Sequence, residues 1–434
     1  MGLRALVGDS STVRCVDAHD RRYLDLDAAA STSALPVVAR AVEDFLPSYA
    51  SVHRGAGHKS QLSTRAYEAA RAAALGFAGR SPGGGDVAII CRNTTEAINH
   101  LAYRLRLAAD DVVVTTVVEH HANLLPWARL CRRRFVECGS DGTFTVEDVT
   151  ATLDAGPPPR LLAVTGASNV TGWQPPLDDI VAAAHERNVP VLIDAAQLAP
   201  HRPLPVDADF VAWSGHKMYA PFGAGVLVGP RATFTEGDPF LAGGGAVDLV
   251  DLDQVAWTDP PDREEAGSPN VIGAVALHAG LSAIPGVSVL GPGTGGGAKL
   301  PLATFTVAGV PHALAAARLS AEHGVGVRHG CFCAHPYIVR LLGLGPDEIA
   351  RHWDAVRHGD HRHMPGAIRA SAGLSTSIDD IDRFVSAVAD IASGRPSPVA
   401  YHQDPRTGDF RLEEGSAVLP PGDDRALGAS CARG

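Results

Sequence analysis

The chain has 434 residues, 45% hydrophobic and 20% charged, the composition of a folded globular protein and more than one core usually fills. A formal net charge of -11 disfavours a general nucleic-acid binder, and no apolar stretch is long enough to span a membrane. Seven scattered cysteines do not read as a disulfide framework, and "MGLRALVGDSSTVRC" lacks a secretory hydrophobic region, so a cytoplasmic protein is expected.

Along the chain, apolar runs read as buried parallel strands: "DVAII" ending near Ile90, "DVVVTT" near Thr116, "RLLAVT" near Thr165, "VPVLI" at Ile193 and "DFVAW" at Trp213. After Asn93, the residues Ile98, Leu101, Ala102 and Leu105 mark one face of a helix, and "PLDDIVAAAHERN" gives another, entered through Pro176 and acidic residues. Alternating strands and helices predict a layered α/β sheet. Each run is followed by polar residues: "CRNTTE", "VVEHHAN", "GASNVTG", "DAAQ" and "SGHK". Ligands of open α/β sheets bind beyond the carboxyl ends of the strands, so these clusters should meet at one site. "GPGTGGGAKL" (291–300) reads as a junction to a smaller α+β domain with which the start of the chain packs. From about Ser393 the chain turns rich in Pro, Gly and charge, and a loosely ordered tail is expected.

Lys217, at the end of a buried run, reads as a surface charge or as a desolvated amine able to attack a carbonyl. The neighbourhood favours the amine, and if it condenses with pyridoxal phosphate (PLP) the cofactor becomes an electron sink for carbanions. PLP needs an acid opposite its ring nitrogen, a phosphate cup and a flat group over its ring. Asp194 suits the first, although it also reads as a helix N-cap. Asn93-Thr94-Thr95-Glu96 opens a helix whose free N–H groups and two hydroxyls suit a phosphate, or merely caps it. His120 or His121 in "EHHAN" suits the third, against a structural role.

Together "SGHKMYAPFGAG", "IDAAQ", "NTTEAIN", "EHHANLLPW" and "SNVTG" resemble the class V aminotransferase-fold PLP enzymes, and most closely the group II cysteine desulfurases and selenocysteine lyases, over roughly residues 20 to 390. The resemblance implies the aspartate aminotransferase-like fold: a large domain at 20–285 with a mainly parallel sheet, a small α+β domain from 1–19 and 286–393, and a tail at 394–434. It implies that Lys217 forms the internal aldimine and moves the α-proton, that Asp194 pairs with the ring nitrogen, that Gln197 contacts the ring oxygen with Asn169 nearby, and that His120 stacks on the ring. Thr94, Thr95, Ser214 and His216 would hold the phosphate. Ser268 in "EEAGSPN" stands where the family usually has Thr, in a segment reaching into a partner's site, which implies a homodimer. His53 and Arg54 fall near the substrate entrance, and Arg369 in "IRASAG" matches the arginine that grips the substrate carboxylate, a task suited to its planar fork.

"VRHGCFCAHP" resembles the segment carrying the desulfurase nucleophile, which places Cys333 in that role. Arg328, His329 and His335 would favour its thiolate. Cys331 either relays sulfur or is inert. A metal site is disfavoured because C-x-C with flanking His lacks ordinary zinc spacing, and a plain structural cysteine is the remaining alternative. A segment between Cys333 and Arg369, with His352, His358, His361 and His363, and the tail with "YHQDPRTGDF" depart from the family pattern. The expected activity is cleavage of the Cβ–S bond of cysteine or a related thio-amino acid, with sulfur passed to an acceptor protein. The alternatives are another class V reaction (C–S lysis without persulfide, transamination or epimerisation) and a scaffold that has lost catalysis. A nicotinamide enzyme is disfavoured, since no G-x-G-x-x-G follows the first strand-like run.

Overall fold

The computed structural model describes residues 5–53, 55–276 and 300–413. Arg54 and most of the 291–300 junction lie outside the described residues. The chain divides into a unit made of 1–7, 29–302 and 333–343, and a second made of 8–28, 303–332 and 344–434.

The first unit is built on a seven-stranded sheet. Its strands are β1 (Asp86–Cys91), β2 (Val112–Thr116), β3 (Arg132–Val136), β4 (Leu161–Thr165), β5 (Val191–Asp194), β6 (Phe210–Ser214) and β7 (Gly225–Pro230), in the order β1-β7-β6-β5-β4-β2-β3. Strands β2, β4, β5 and β6 are buried along their whole length, which explains why they read as continuous apolar runs. Val87, Ile89, Val113, Leu161, Leu192, Phe210 and Leu227 pack with Ile98, Leu101 and Ala102 of helix α1 (Thr94–Arg104) as one core. Helix α2 (Leu177–His185) starts at Pro176 with Asp178 and Asp179 in its first turn.

The sheet is mainly parallel, as expected, and two of its strands escaped the sequence reading. Strand β7 runs antiparallel to both β1 and β6. This strand comes from "GAGVLVG", whose glycines hid its periodicity. At the other edge β3 is "RRRFV", a basic strand whose charge keeps an open edge from pairing with other chains. Even so, β1, β2, β4, β5 and β6 all point the same way, and the polar residues that follow them stand along one edge.

In the second unit, strands Leu302–Phe305, Ala367–Ser371 and Arg328–Gly330 form a three-stranded sheet. Helices His312–His323 and Ile378–Ala392 contribute Ala315, Leu319, Phe384, Ala387 and Ile391 to its core. Leu24–Asp25 pairs in parallel with Val325–Gly326, so the N-terminal part of this unit reaches residue 28 rather than 19. Residues 346–357, within the expected insertion, form a helix. The loose tail expected from residue 394 is corrected as far as residue 413. Tyr401–Gln403 and Phe410–Leu412 pair as a hairpin, held by Gln403 donating to the carbonyls of Arg362 and Gly408. The remaining tail, 414–434, lies outside the described residues.

Gly225 opens β7 between the ends of β1 and β6, opposite Cys91 and Ser214. A Cβ there would lie 2.6 Å from the Asn93 Cα, against backbone that cannot yield easily. Gly225→Ala is expected to lower stability by about 1–3 kcal/mol, the usual cost of overpacking, seen as an earlier urea midpoint. An unchanged midpoint would show that the approach of β7 to Asn93 is loose.

Candidate active site

The site grows from the ends of the buried strands. Asp194 is the last residue of β5 and is only 4% exposed. It pairs in register with Ala212 of β6, so the turn after β6, Gly215–Lys217, begins beside it. That turn is tightened by Gly215 donating to the Ala224 carbonyl (2.7 Å) and Met218 to the Gly215 carbonyl (2.8 Å). Lys217 is half-buried, and its charge acts on Asp194. Burial raises the Asp194 carboxyl above the ordinary range, opposed by the Ala196 N–H at 3.0 Å and by the lysine. A carboxylate so placed is stabilised by any positive N–H that reaches it.

Asn93 caps α1 as expected, accepting from the Glu96 N–H (3.0 Å). Glu96 reaches one residue further back than a capping box requires, accepting from Arg92 N (2.8 Å). The first turn is tied to β6: Thr94 N donates to Ser214 Oγ (2.8 Å), and the Thr94 and Ser214 hydroxyls are 2.7 Å apart. Thr94 and Ser214 are buried, while Thr95 faces outward. His216 is pushed down to about 4 by burial and by the Lys217 charge, so it stays neutral at physiological pH. Its carbonyl accepts from Thr32 N (2.9 Å) and Thr32 Oγ1 (3.1 Å), and its Nδ1 lies 3.3 Å from Ser31 Oγ.

His120 Nδ1 accepts from Ala122 N (3.0 Å), which places the imidazole proton on Nε2. Gln197 is buried and donates to the Ala29 carbonyl (2.7 Å), and Asn169 is buried beyond β4. Sequence reasoning missed Ser31, Thr32 and Ala29, because "AAASTSA" carries no signal of what it packs against. It also passed over Glu119, although an acid ending "TTVVE" was a readable sign. Glu119 is fully buried and accepts from Thr116 Oγ1 (2.7 Å), Asn123 Nδ2 (2.8 Å) and Thr165 N (2.9 Å), joining the ends of β2 and β4.

The donor set fits PLP on its own chemistry. A buried carboxyl suits the ring nitrogen, a half-buried amine the aldehyde, and a neutral imidazole a ring face. Hydroxyls at a helix start suit the phosphate.

Two further expected residues share a cleft. His53 and Ser268 line a cleft of about 640 Å³ with Tyr49, Arg71, Asp262 and Glu265. There Arg71 binds Glu68 (2.8 Å), Asp262 (2.6 Å) and Glu265 (2.7 Å), while His53 Nε2 meets Glu68 (2.9 Å). Arg369, in the second unit, is almost fully buried, lies 3.3 Å from Asp27 and sits over the Phe332 ring. Cys333 is an exposed free thiol and Cys331 is half-buried. Burial pushes His329 and His335, expected to favour the Cys333 thiolate, below their ordinary value.

Comparison with known proteins agrees with this geometry. The family model described as aminotransferase class V matches residues 23–289. The chain belongs to the class V aminotransferase family. This class V enzyme is 31% identical over 412 residues to the cysteine desulfurase of Cronobacter sakazakii, covering 86% of this chain and 94% of the relative. It is 32% identical to a probable cysteine desulfurase of Synechocystis, covering 86% of this chain and 91% of the relative. Among solved structures, the apo cysteine desulfurase of Thermococcus onnurineus superposes with a TM-score of 0.72 at 26% identity, covering 86% of this chain and 95% of the other. The Escherichia coli cysteine desulfurase gives 0.68 at 28%, with the same coverages. The class V enzyme has the PLP-dependent fold of these proteins and uses PLP. No helix among the described residues is long and apolar enough to cross a membrane.

Burial pushes the Glu119 carboxyl up to about 8, against the hydrogen bonds from Thr116, Asn123 and Thr165 N. Its folded pKa lies above the ordinary 4.5, so its contribution to folding is full below that value and is lost as pH rises through about 8. The urea midpoint of the cofactor-free protein should therefore fall across this window, and Glu119→Gln should flatten the fall. Parallel profiles for the two proteins would show that Glu119 ionises without penalty.

Proposed function

We propose that this class V enzyme removes sulfur from cysteine or a closely related thio-amino acid and takes it up on Cys333. The observation that carries the reading is the buried Asp194 beside the half-buried Lys217 at the ends of adjacent strands, in a chain about 31% identical to proteins named cysteine desulfurases. Bound PLP supplies an aldehyde that condenses with an amine and a ring that accepts an electron pair.

The chain's own groups do the rest. Thr94, Thr95, Ser214, His216 and the first turn of α1 hold the phosphate. Asp194 keeps the ring nitrogen protonated, Gln197 and Asn169 orient the ring, and His120 covers its face. Lys217 anchors the cofactor and moves the proton at the substrate α-carbon on its Nζ. Arg369 grips the substrate carboxylate, with His53 and Arg54 at the entrance. Cys333 Sγ, as thiolate, attacks the substrate sulfur. The S–S bond forms as the Cβ–S bond breaks, the electron pair stays on carbon and is protonated, and alanine leaves with a persulfide on the protein. No outside oxidant is needed, and an acceptor protein or thiol later removes the sulfur.

The enzyme is further proposed to work in the cytoplasm as a homodimer, with Ser268 reaching a partner's phosphate. The match of "EEAGSPN" to the family segment that reaches a partner's site supports that reading.

Lys217→Ala is expected to lose the visible absorbance of the bound cofactor and about 10²–10⁴-fold or more of alanine formation. Cys333→Ala should keep the absorbance but lose alanine and sulfide release. Full turnover by the Cys333 variant would replace the persulfide step with C–S lysis. Light scattering at twice the chain mass, and weaker cofactor retention in Ser268→Ala, would support the shared site. A monomer retaining full activity would remove it.

A further inference from the structure

The "EHHAN" motif carries two histidines, and the reading above uses only His120. His121 faces the cysteine segment. Its backbone N–H donates to the Cys333 carbonyl (2.8 Å), and its Nε2 lies 3.3 Å from both the backbone N and Nδ1 of His335. The two imidazoles stack with centroids 5.1 Å apart and an interplanar angle of 6°. An Nε2 that receives the His335 amide proton carries the lone pair, so His121 is neutral with its own proton on Nδ1. Burial and the neighbouring His335 push His121 down, which agrees with that tautomer.

Cys333 needs holding. Its φ is +54°, as is that of Phe332, a left-handed conformation that costs a side-chain-bearing residue about 1 kcal/mol or more. On the far side of Cys333 the chain is fixed. Helix α3 (His335–Leu341) is tied to the rest of the first unit by Tyr337 donating to the Gly142 carbonyl (2.7 Å) and by a bidentate Arg340–Glu137 pair (2.8 Å for each bond). The thiol-bearing residue is therefore spanned by two restraints, and both the contacts at its own carbonyl and at His335 come from His121.

We propose that His121 is the positioning residue for Cys333, fixing the backbone of the nucleophile relative to the cofactor face that the adjacent His120 covers. The tandem histidines divide the work: one meets the ring, and the next sets where the sulfur acceptor stands. This inference rests on the assignment of Cys333 as nucleophile.

The test uses the holoenzyme with His121→Phe, which keeps a stacking ring but removes the acceptor, and His121→Gln, whose Oε1 can again accept from the His335 amide. In the Phe variant the kcat for alanine formation should fall about tenfold, the effect of about 1.4 kcal/mol, with KM for cysteine and cofactor absorbance unchanged. Iodoacetamide alkylation of Cys333, followed by peptide mass mapping, should speed up about threefold or more as the segment loosens. The Gln variant should recover both values. Should the Phe variant fail to fold, His121→Asn, whose acceptor falls short of the amide, carries the same test. A Phe variant matching wild type in kcat and alkylation overturns the proposal, as does a Gln variant no better than Phe. Cys333→Ala separates the two ideas: if it still releases alanine at the wild-type rate, the nucleophile assignment fails. If it is inactive while His121→Phe behaves as wild type, only the positioning role fails.

Discussion

A carboxyl group in a dry place next to an amine is the constraint on which the site depends. Burial alone would drive Asp194 towards its neutral form, and the Lys217 charge and the Ala196 N–H pull the other way. The tension is produced by the sheet. Strands β5 and β6 run parallel in register, so their ends deliver the acid and the turn bearing the amine to the same edge. A cofactor whose ring nitrogen is protonated relieves the buried carboxyl and, by the same contact, becomes a better acceptor of electrons. The pairing of a buried Asp194 with Lys217 thus suits a positively charged aromatic ring.

The antiparallel strand β7 makes the second half of the arrangement possible. It begins at Gly225, pressed between Cys91 at the end of β1 and Ser214 at the end of β6. This brings the first turn of α1 to β6, where Thr94 and Ser214 lock together. A phosphate held there and a ring nitrogen held at Asp194 would both be fixed to one sheet, so their positions would not depend on loop order. His216, lowered by burial and by Lys217, keeps an N–H to donate without adding a second buried cation to balance.

Much of this was readable because buried strands announce themselves. The runs ending at Ile90, Thr116, Thr165, Ile193 and Trp213 are strands, and the polar residues after each lie on one edge. What stayed hidden has physical causes. Strand β7 is rich in glycine and β3 in arginine, so neither has an apolar signature, and strand direction is invisible in periodicity. Ser31 and Thr32 act through contacts with residues about 185 positions away, which no local pattern encodes. The protonation states of His329 and His335 depend on burial, and "RHGCFCAHP" shows only that two basic side chains flank a thiol. The hairpin at 401–412 was obscured because Pro, Gly and charge mark both disorder and tight turns. Here Gly408 sits at φ +79°, serving a turn.

The second unit shows how an arginine charge can be kept buried and still be held in place. Arg369 is buried, and its guanidinium rests on the Phe332 ring with its centre 5.1 Å from the centroid. A lone buried cation would be costly, but Asp27 stands 3.3 Å away and also takes Arg328 at 3.2 Å. Asp27 thus faces two guanidiniums, while the aromatic face holds the Arg369 plane. Asp27 is itself fixed by the bridge between its backbone and Ser371, two residues beyond Arg369 on the same strand. Removing Asp27 would free the arginine's charge but also its orientation. Removing Phe332 would take away its support next to the cysteine segment. For a planar fork that must meet a carboxylate with both prongs, orientation is the scarcer quantity. An arginine whose plane is already set is therefore better matched to a carboxylate ligand than a freely rotating one.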